Sequence, residues 1–182
     1  VYTGIFESVS EAMKNLKEGV IKIGTQIVSG AAFNRRDWDE KSNYIDEEAT
    51  VLIFESKSGS MEGILYNYSN HPVVLEPTNL LISADWPHYT EKYLRESLSK
   101  PDLFVMFVNG TPGNTNPSNS PMTGSKPRNF DMCKDIGDIT AKGILEIIPN
   151  VEILSISPIK GITKEIIIDA DDVDKEEIFT FS

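Results

Sequence analysis

The sequence predicts an α/β fold, a mixed β-sheet with flanking helices, and three observations carry that reading. Strand-like alternation and short apolar runs are interspersed with stretches of helical periodicity. A short glycine-containing turn, Lys57-Ser58-Gly59-Ser60, joins two strands as an antiparallel hairpin. The crossover from Tyr68 to Leu103 contains a helix and makes a later strand parallel to the second of the pair.

In chain order, Ser8 to Glu18 reads as an amphipathic surface helix. Ser8 and Glu11 suit a capping box, Val9, Ala12, Met13 and Leu16 form the apolar stripe, and Gly19 supplies the stop. Val20 to Val28 alternates Val20, Lys22, Gly24 and Gln26 with Ile21, Ile23, Thr25 and Ile27, a strand with one buried face. Asn34 to Glu48 is a polar loop. Strands follow at Ala49 to Glu55 and Gly63 to Tyr68, the second running into Asn70-His71-Pro72. Trp86 to Leu98 is a helix with Asp85 at its N-cap position and Pro87 in its first turn. Leu103 to Val108 is apolar at nearly every position, as in a strand covered on both faces. Gly110 to Pro127 is a long loop, and a second long helix runs from about Asn129 to Ile147 with Pro149 beyond it. Val151 to Ile156 and Thr163 to Ile168 are β-rich runs, and no internal repeat occurs.

Composition bounds the function. With 17 Lys and Arg against 28 Asp and Glu, the formal charge is −11, which disfavours a free nucleic-acid or anionic-membrane binder. Asp37 to Glu48 and Lys164 to Glu177 each carry net −5 and read as solvated segments rather than cation sites. With 182 residues, 40% of them hydrophobic, the chain can bury one core, so residues 1–182 are a single domain or a fragment of one. A lone cysteine, Cys133, permits no intramolecular disulfide, and two histidines, His71 and His88, cannot alone close a tetrahedral zinc site of Cys and His ligands. No apolar run reaches the roughly 20 residues of a membrane span. The absence of an initiator methionine suits an excised piece, which leaves the native compartment open.

Chemistry concentrates at strand ends. His71, held by Pro72 and preceded by Asn70, which could orient an imidazole, is a metal ligand, a general base or a satisfied structural histidine. Gly110-Thr111-Pro112-Gly113-Asn114-Thr115-Asn116-Pro117 follows another strand. Its glycines and neutral donors suit an oxyanion or hydroxyl, though an inert loop fits equally, and no P-loop signature is present. In Asn34-Arg35-Arg36-Asp37 the arginines either clamp an oxyanion or form surface ion pairs. In Ser83-Ala84-Asp85 the acid either orders a histidine or caps its helix. Cys133 reads as a buried thiol and His88 as a surface residue.

Taken in order, NRR, a hairpin, NHPVVL, TNLLISADW and FVNGTPGNTNP resemble the N-terminal catalytic domain of the neutral/alkaline non-lysosomal ceramidase family, over roughly Ala31 to Pro117 with a less distinctive continuation through the Asn129 to Ile147 helix. Members of that family are zinc-dependent amidases that cleave the N-acyl bond of the sphingolipid ceramide, and the resemblance implies that this chain is part of a larger catalytic domain in a zinc-dependent hydrolase of an N-acyl or related bond that is not specific for ceramide. In that family two histidines, a glutamate and a tyrosine hold the metal. His71 matches the second histidine, while the first falls upstream of Val1 and the other two ligands downstream of Ser182. By the same resemblance Arg35 stabilises developing negative charge, Asp85 and Ser83 support the site, and Gly113, Asn114 and Thr115 line the substrate loop.

One departure matters for mechanism. Where the family reads Gly-Asp-x-Ser-Pro, this chain reads Gly113-Asn114-Thr115-Asn116-Pro117, with Asn116 in the catalytic serine's position. An amide cannot act as that nucleophile, so the resemblance implies hydrolysis by metal-activated water, with Arg35 and Asn116 polarising or positioning a small-molecule or lipid substrate. The competing expectation is an inactive relative that binds an envelope, peptide or carbohydrate ligand through the Gly110 to Pro127 loop. A nucleophile-elbow hydrolase is excluded, because no Gly-x-Ser-x-Gly occurs. The resemblance slightly favours secretion or the cell envelope.

Overall fold

A computed structural model describes residues 2–36, 44–75, 77, 79–118, 128–155 and 161–167. The expected mixed sheet with flanking helices is present, and the described residues comprise three α-helices and a main sheet of five strands. The helices are α1 (Tyr2–Lys14), α2 (Trp86–Ser97) and α3 (Phe130–Ile147). The strands are β1 (Gly19–Ile27), β2 (Ala32–Asn34), β3 (Glu48–Ser56), β4 (Met61–Tyr68), β5 (Phe104–Asn109), β6 (Thr115–Pro117) and β7 (Glu152–Ile153). The main sheet has the order β5-β4-β3-β1-β7; β5 is parallel to β4 and the other pairs are antiparallel. β2 and β6 form a separate antiparallel ribbon.

The β3–β4 hairpin turns at Gly59, whose φ of 82° is the left-handed conformation that glycine adopts without strain. Parallel pairing of β4 with β5 follows from the α2 crossover. α2 and α3 lie together on one sheet face, over Val51, Ile53, Ile64, Tyr66 and Tyr68. α3 contributes Met132, Ile136, Ile144 and Ile147 at helical spacing to that core. The two helices approach closely at Gly137, where a Cβ would lie 2.6 Å from Tyr89 Cβ and 2.8 Å from the Trp86 carbonyl oxygen.

Several expectations are corrected. The first helix spans Tyr2–Lys14 rather than Ser8 to Glu18. Ser8 is interior and its hydroxyl donates to the Gly4 carbonyl, while Asn15 closes the helix on the Glu11 carbonyl. In β1 the apolar alternation is not the buried side. The opposite side bears Gly24, where a Cβ would sit 2.6 Å from Ile147 Cγ2, so α3 lies against the small residue. Ile21 and Ile23 therefore share the other sheet face with Leu52, Phe54, Leu65, Phe104, Met106 and Val108.

That face is open. Phe104 is 57% and Met106 46% exposed, so β5 is an edge strand covered on one side, not on both. Only Glu152–Ile153 of the Val151 to Ile156 run is a strand, a short edge against β1, and Ile156 falls outside the described residues. Residues 163–167 form no strand and are exposed, and Ile168 is not described. The expected acidic segments fall partly outside the described residues, at 37–43 and 168–177, as does the loop at 119–127.

Candidate functional site

The parallel strands β4 and β5 end side by side, and their outgoing loops are stitched together. Gly110 N–H donates to the Tyr68 carbonyl at 3.1 Å, and Thr111 N–H donates to Ser69 Oγ at 2.9 Å. Ser69 Oγ–H in turn donates to Asp46 Oδ2 at 2.8 Å. A side chain at Gly110 would overlap the Ser69 hydroxyl, so the glycine there is needed for close approach. This C-terminal edge, where α/β sheets place their ligands, delivers His71 from one loop and Gly113 to Asn116 from the other.

The β2–β6 ribbon brings the second half of the site. Phe33 pairs with Asn116 and Asn34 with Thr115, and Arg35 N–H donates to the Asn114 carbonyl at 2.8 Å. The Arg35 guanidinium donates through Nε and Nη2 to the Gly113 carbonyl at 3.2 and 3.1 Å. Asn34 and Asn114 both donate from Nδ2 to the Tyr44 carbonyl, at 3.1 and 2.9 Å. Two motifs far apart in the chain thus become one hydrogen-bonded unit.

Asn70 joins that unit to the strand end. It is fully buried, and its Nδ2 donates to the Ala31 carbonyl at 2.9 Å, so it anchors the ribbon rather than the imidazole. Its Oδ1 is buried without a hydrogen-bond partner, as are Asn116 Oδ1 and Thr115 Oγ1. Of these, Thr115 and Asn116 are on the ribbon strand β6, and a further buried atom without a partner, Tyr66 Oη, lies in the core; an unsatisfied buried polar atom is costly and can take a partner from a ligand or water.

His71 is partly exposed beside this unit, and its pKa is lowered, first by desolvation and then by the Arg35 cation. The imidazole is therefore neutral near pH 7, the form that ligates a metal or accepts a proton. No group of three or more His, Cys, Asp or Glu side chains that could hold a metal occurs among the described residues, so they form no closed metal site by themselves.

Asp85 lies at the N-terminus of α2. It is buried, with Oδ2 accepting from Leu75 N–H at 2.9 Å and Oδ1 from Trp86 N–H at 2.8 Å. Cys133 is buried as expected; burial first, then the Asp85 charge, pushes its thiol up to about 12, so it is no nucleophile. His88 is exposed and meets the Tyr89 ring edge-on. Two depressions lie elsewhere, one of about 430 Å³ beside His88 and Arg95 on α2 and one of about 580 Å³ by Val20 and Phe54.

Sequence reasoning missed Ser69, Asp46, Tyr44 and the Trp86 indole as organising groups. Ser69 directly follows a strand and could have been read as a loop anchor, whereas the others act through contacts that no local pattern announces.

A mixed sheet backed by two helices, with polar residues gathered at the end of a parallel strand pair, defines an α/β protein whose candidate site is built from strand-end loops. Residues 1–140 match the family described as neutral/alkaline non-lysosomal ceramidase, N-terminal, and the chain belongs to that family. It is 26% identical over 148 residues to the neutral ceramidase of Pseudomonas aeruginosa strain PAO1, covering 75% of this chain and 22% of the relative. The crystal structure of neutral ceramidase from Pseudomonas aeruginosa superposes with a TM-score of 0.68 at 25% identity, over 81% of this chain and 25% of that one. A structure of a ceramidase complexed with C2 shares the fold, with a TM-score of 0.66 at 23% identity over 77% of this chain and 24% of that one. The chain thus spans about a quarter of the length of these relatives. No helix among the described residues is long and apolar enough to cross a membrane.

Proposed function

We propose that this chain supplies part of the active site of a zinc-dependent hydrolase of the ceramidase kind, cleaving an N-acyl amide or a related bond. The observation that supports the reading is the position of His71 in the loop that leaves β4, tied to the loop after β5 whose Gly113 carbonyl holds the Arg35 guanidinium. His71 would be one metal ligand, the others lying outside the described residues. When bound, zinc would supply Lewis acidity and a nucleophilic water at neutral pH.

The chain's own residues have separable roles in this proposal. Arg35, steadied on the Gly113 carbonyl, faces the oxygen that gains negative charge as the amide is attacked. Asn116 holds the substrate through its buried amide oxygen, which suits a substrate N–H or hydroxyl donor. Gly113, Asn114 and Thr115 shape the adjoining loop, and Asp85 supports from behind. A small N-acylated or lipid amide fits these groups.

The test is zinc analysis of the full-length natural polypeptide and its His71→Ala variant after identical dialysis, followed by hydrolysis of N-acyl substrates. About one zinc per chain, lost in the variant, with amide cleavage by the parent, is the expected result. A folded parent that takes up no zinc would sink the reading. It would leave the second one, an inactive ceramidase-like binding module for a carbohydrate or envelope ligand, which rests on the amide at Asn116 where the family has its serine.

A further inference from the structure

Two side chains at the start of α2 grip the backbone that carries His71. The Trp86 indole Nε1–H donates to the His71 carbonyl at 3.1 Å, and the same carbonyl accepts from Val73 N–H at 2.9 Å across Pro72. Further along, Leu75 N–H donates to Asp85 Oδ2 at 2.9 Å. The segment from His71 to Leu75 is therefore tied to α2 at both of its ends.

The anchors are themselves immobile. Trp86 is fully buried, edge-on to Tyr68 of β4 at 6.3 Å and to Phe107 of β5 at 4.9 Å between ring centroids. The indole donor is thus fixed relative to the strand ends that frame the site.

Helix capping does not account for Asp85. At α3 the cap Asn129 is extended, with φ −145° and ψ −176°, and accepts one bond, from Met132 N–H. Asp85 caps α2 with Oδ1 but adopts φ 58° and ψ −147°, a region that side chains other than glycine's rarely enter. Its N–H donates to Ser83 Oγ at 2.9 Å, and its second oxygen reaches Leu75 instead of the helix. Strain retained at a buried acid that bridges to the histidine segment indicates a demand beyond ending a helix.

We infer that Trp86 and Asp85 are positioning residues for His71, the indole and the carboxylate together setting the direction of the imidazole. This rests on the proposal that His71 is a zinc ligand. Its logic is that of outer-shell groups in metal sites, which order a ligand without touching the ion. Here they act on the ligand's main chain rather than on its second ring nitrogen.

The test compares zinc affinity, by chelator competition, in the full-length natural polypeptide and four variants. Trp86→Phe keeps a ring but removes the donor, and Asp85→Asn keeps the side chain's shape but removes one acceptor. Phe107→Leu loosens the same aromatic cluster without touching either tether, and His71→Ala removes the ligand. Trp86→Phe and Asp85→Asn are each expected to weaken zinc about tenfold, and Phe107→Leu to leave it within about twofold while lowering the melting temperature. If Phe107→Leu weakens zinc as much as Trp86→Phe, the indole acts by packing alone and the inference is overturned. It is equally overturned if both tether variants bind zinc like the parent while His71→Ala does not. If His71→Ala itself binds zinc like the parent, the underlying zinc reading has failed instead.

Discussion

Arg35 and His71 illustrate how one side chain sets the chemistry of another without bonding to it. Burial and the guanidinium together hold the imidazole below its ordinary value of 6.5, so the unfolded chain binds more protons there than the folded one as pH falls below about 6.5. Stability attributable to His71 is therefore lost as pH drops from about 6.5 through the lowered value, and regained as it rises. Arg35→Met is expected to move the His71 midpoint upward, read from imidazole proton shifts against pH; an unmoved midpoint would assign the depression to desolvation alone. In the hydrolase proposal the same change lowers turnover about 10²- to 10³-fold, the usual loss for one oxyanion donor. Asn70→Ala removes the bond to the Ala31 carbonyl, which keeps its bond from Ser118 N–H. It should cost about 1 kcal/mol, or about 2–4 °C in melting temperature.

At the scale of elements, glycines decide where pieces meet. Gly137→Ala would drive a methyl into α2 backbone at 2.8 Å and should cost about 1–3 kcal/mol, whereas Gly4→Ala in α1, with nothing within 4 Å, should leave the midpoint unchanged or raise it. Thermal melts of the two variants make the comparison. Elements written in local periodicity were legible in the sequence. The β3–β4 hairpin, α2 with its Asp85 cap, and α3 with its Asn129 boundary all appear within a few residues of where their patterns end. The ribbon was not legible, because its two three-residue strands find each other only across the whole sheet. β5 was misjudged because a continuous apolar run marks a strand but does not say whether both its sides are covered. For the site, a histidine at a strand end and an Asn-Arg pair announced themselves through position and chemistry. How they are joined did not, since the Asn70 amide, read in the sequence as a partner for the imidazole, bonds instead to the carbonyl of Ala31, a residue 39 positions away.

The whole molecule is two-sided. One sheet face is sealed by α2 and α3, and the other presents Phe104, Met106 and Val108 beside Ile21, Ile23, Leu52 and Leu65, with no charged residue at its centre. An apolar surface of this kind binds hydrophobic dyes. The 182-residue polypeptide is expected to enhance dye fluorescence, and Phe104→Lys with Met106→Lys to abolish most of that signal at an unchanged melting temperature. A dye signal indifferent to both substitutions would place the bound dye elsewhere.

The close contact of α3 with α2 at Gly137 carries a further consequence. Because the first residue of α2 also holds the His71 carbonyl, the packing of the helix pair is coupled to the main chain of the histidine segment. Loosening between the helices reaches the site while the antiparallel strands are still intact, since helix packing can open locally at lower free energy than a whole sheet. Warming a Trp38→Phe variant, in which Trp86 is the remaining tryptophan, should therefore blunt the near-ultraviolet tryptophan signal before the strand signal in the far ultraviolet, so that the site fails by slackening rather than by unfolding.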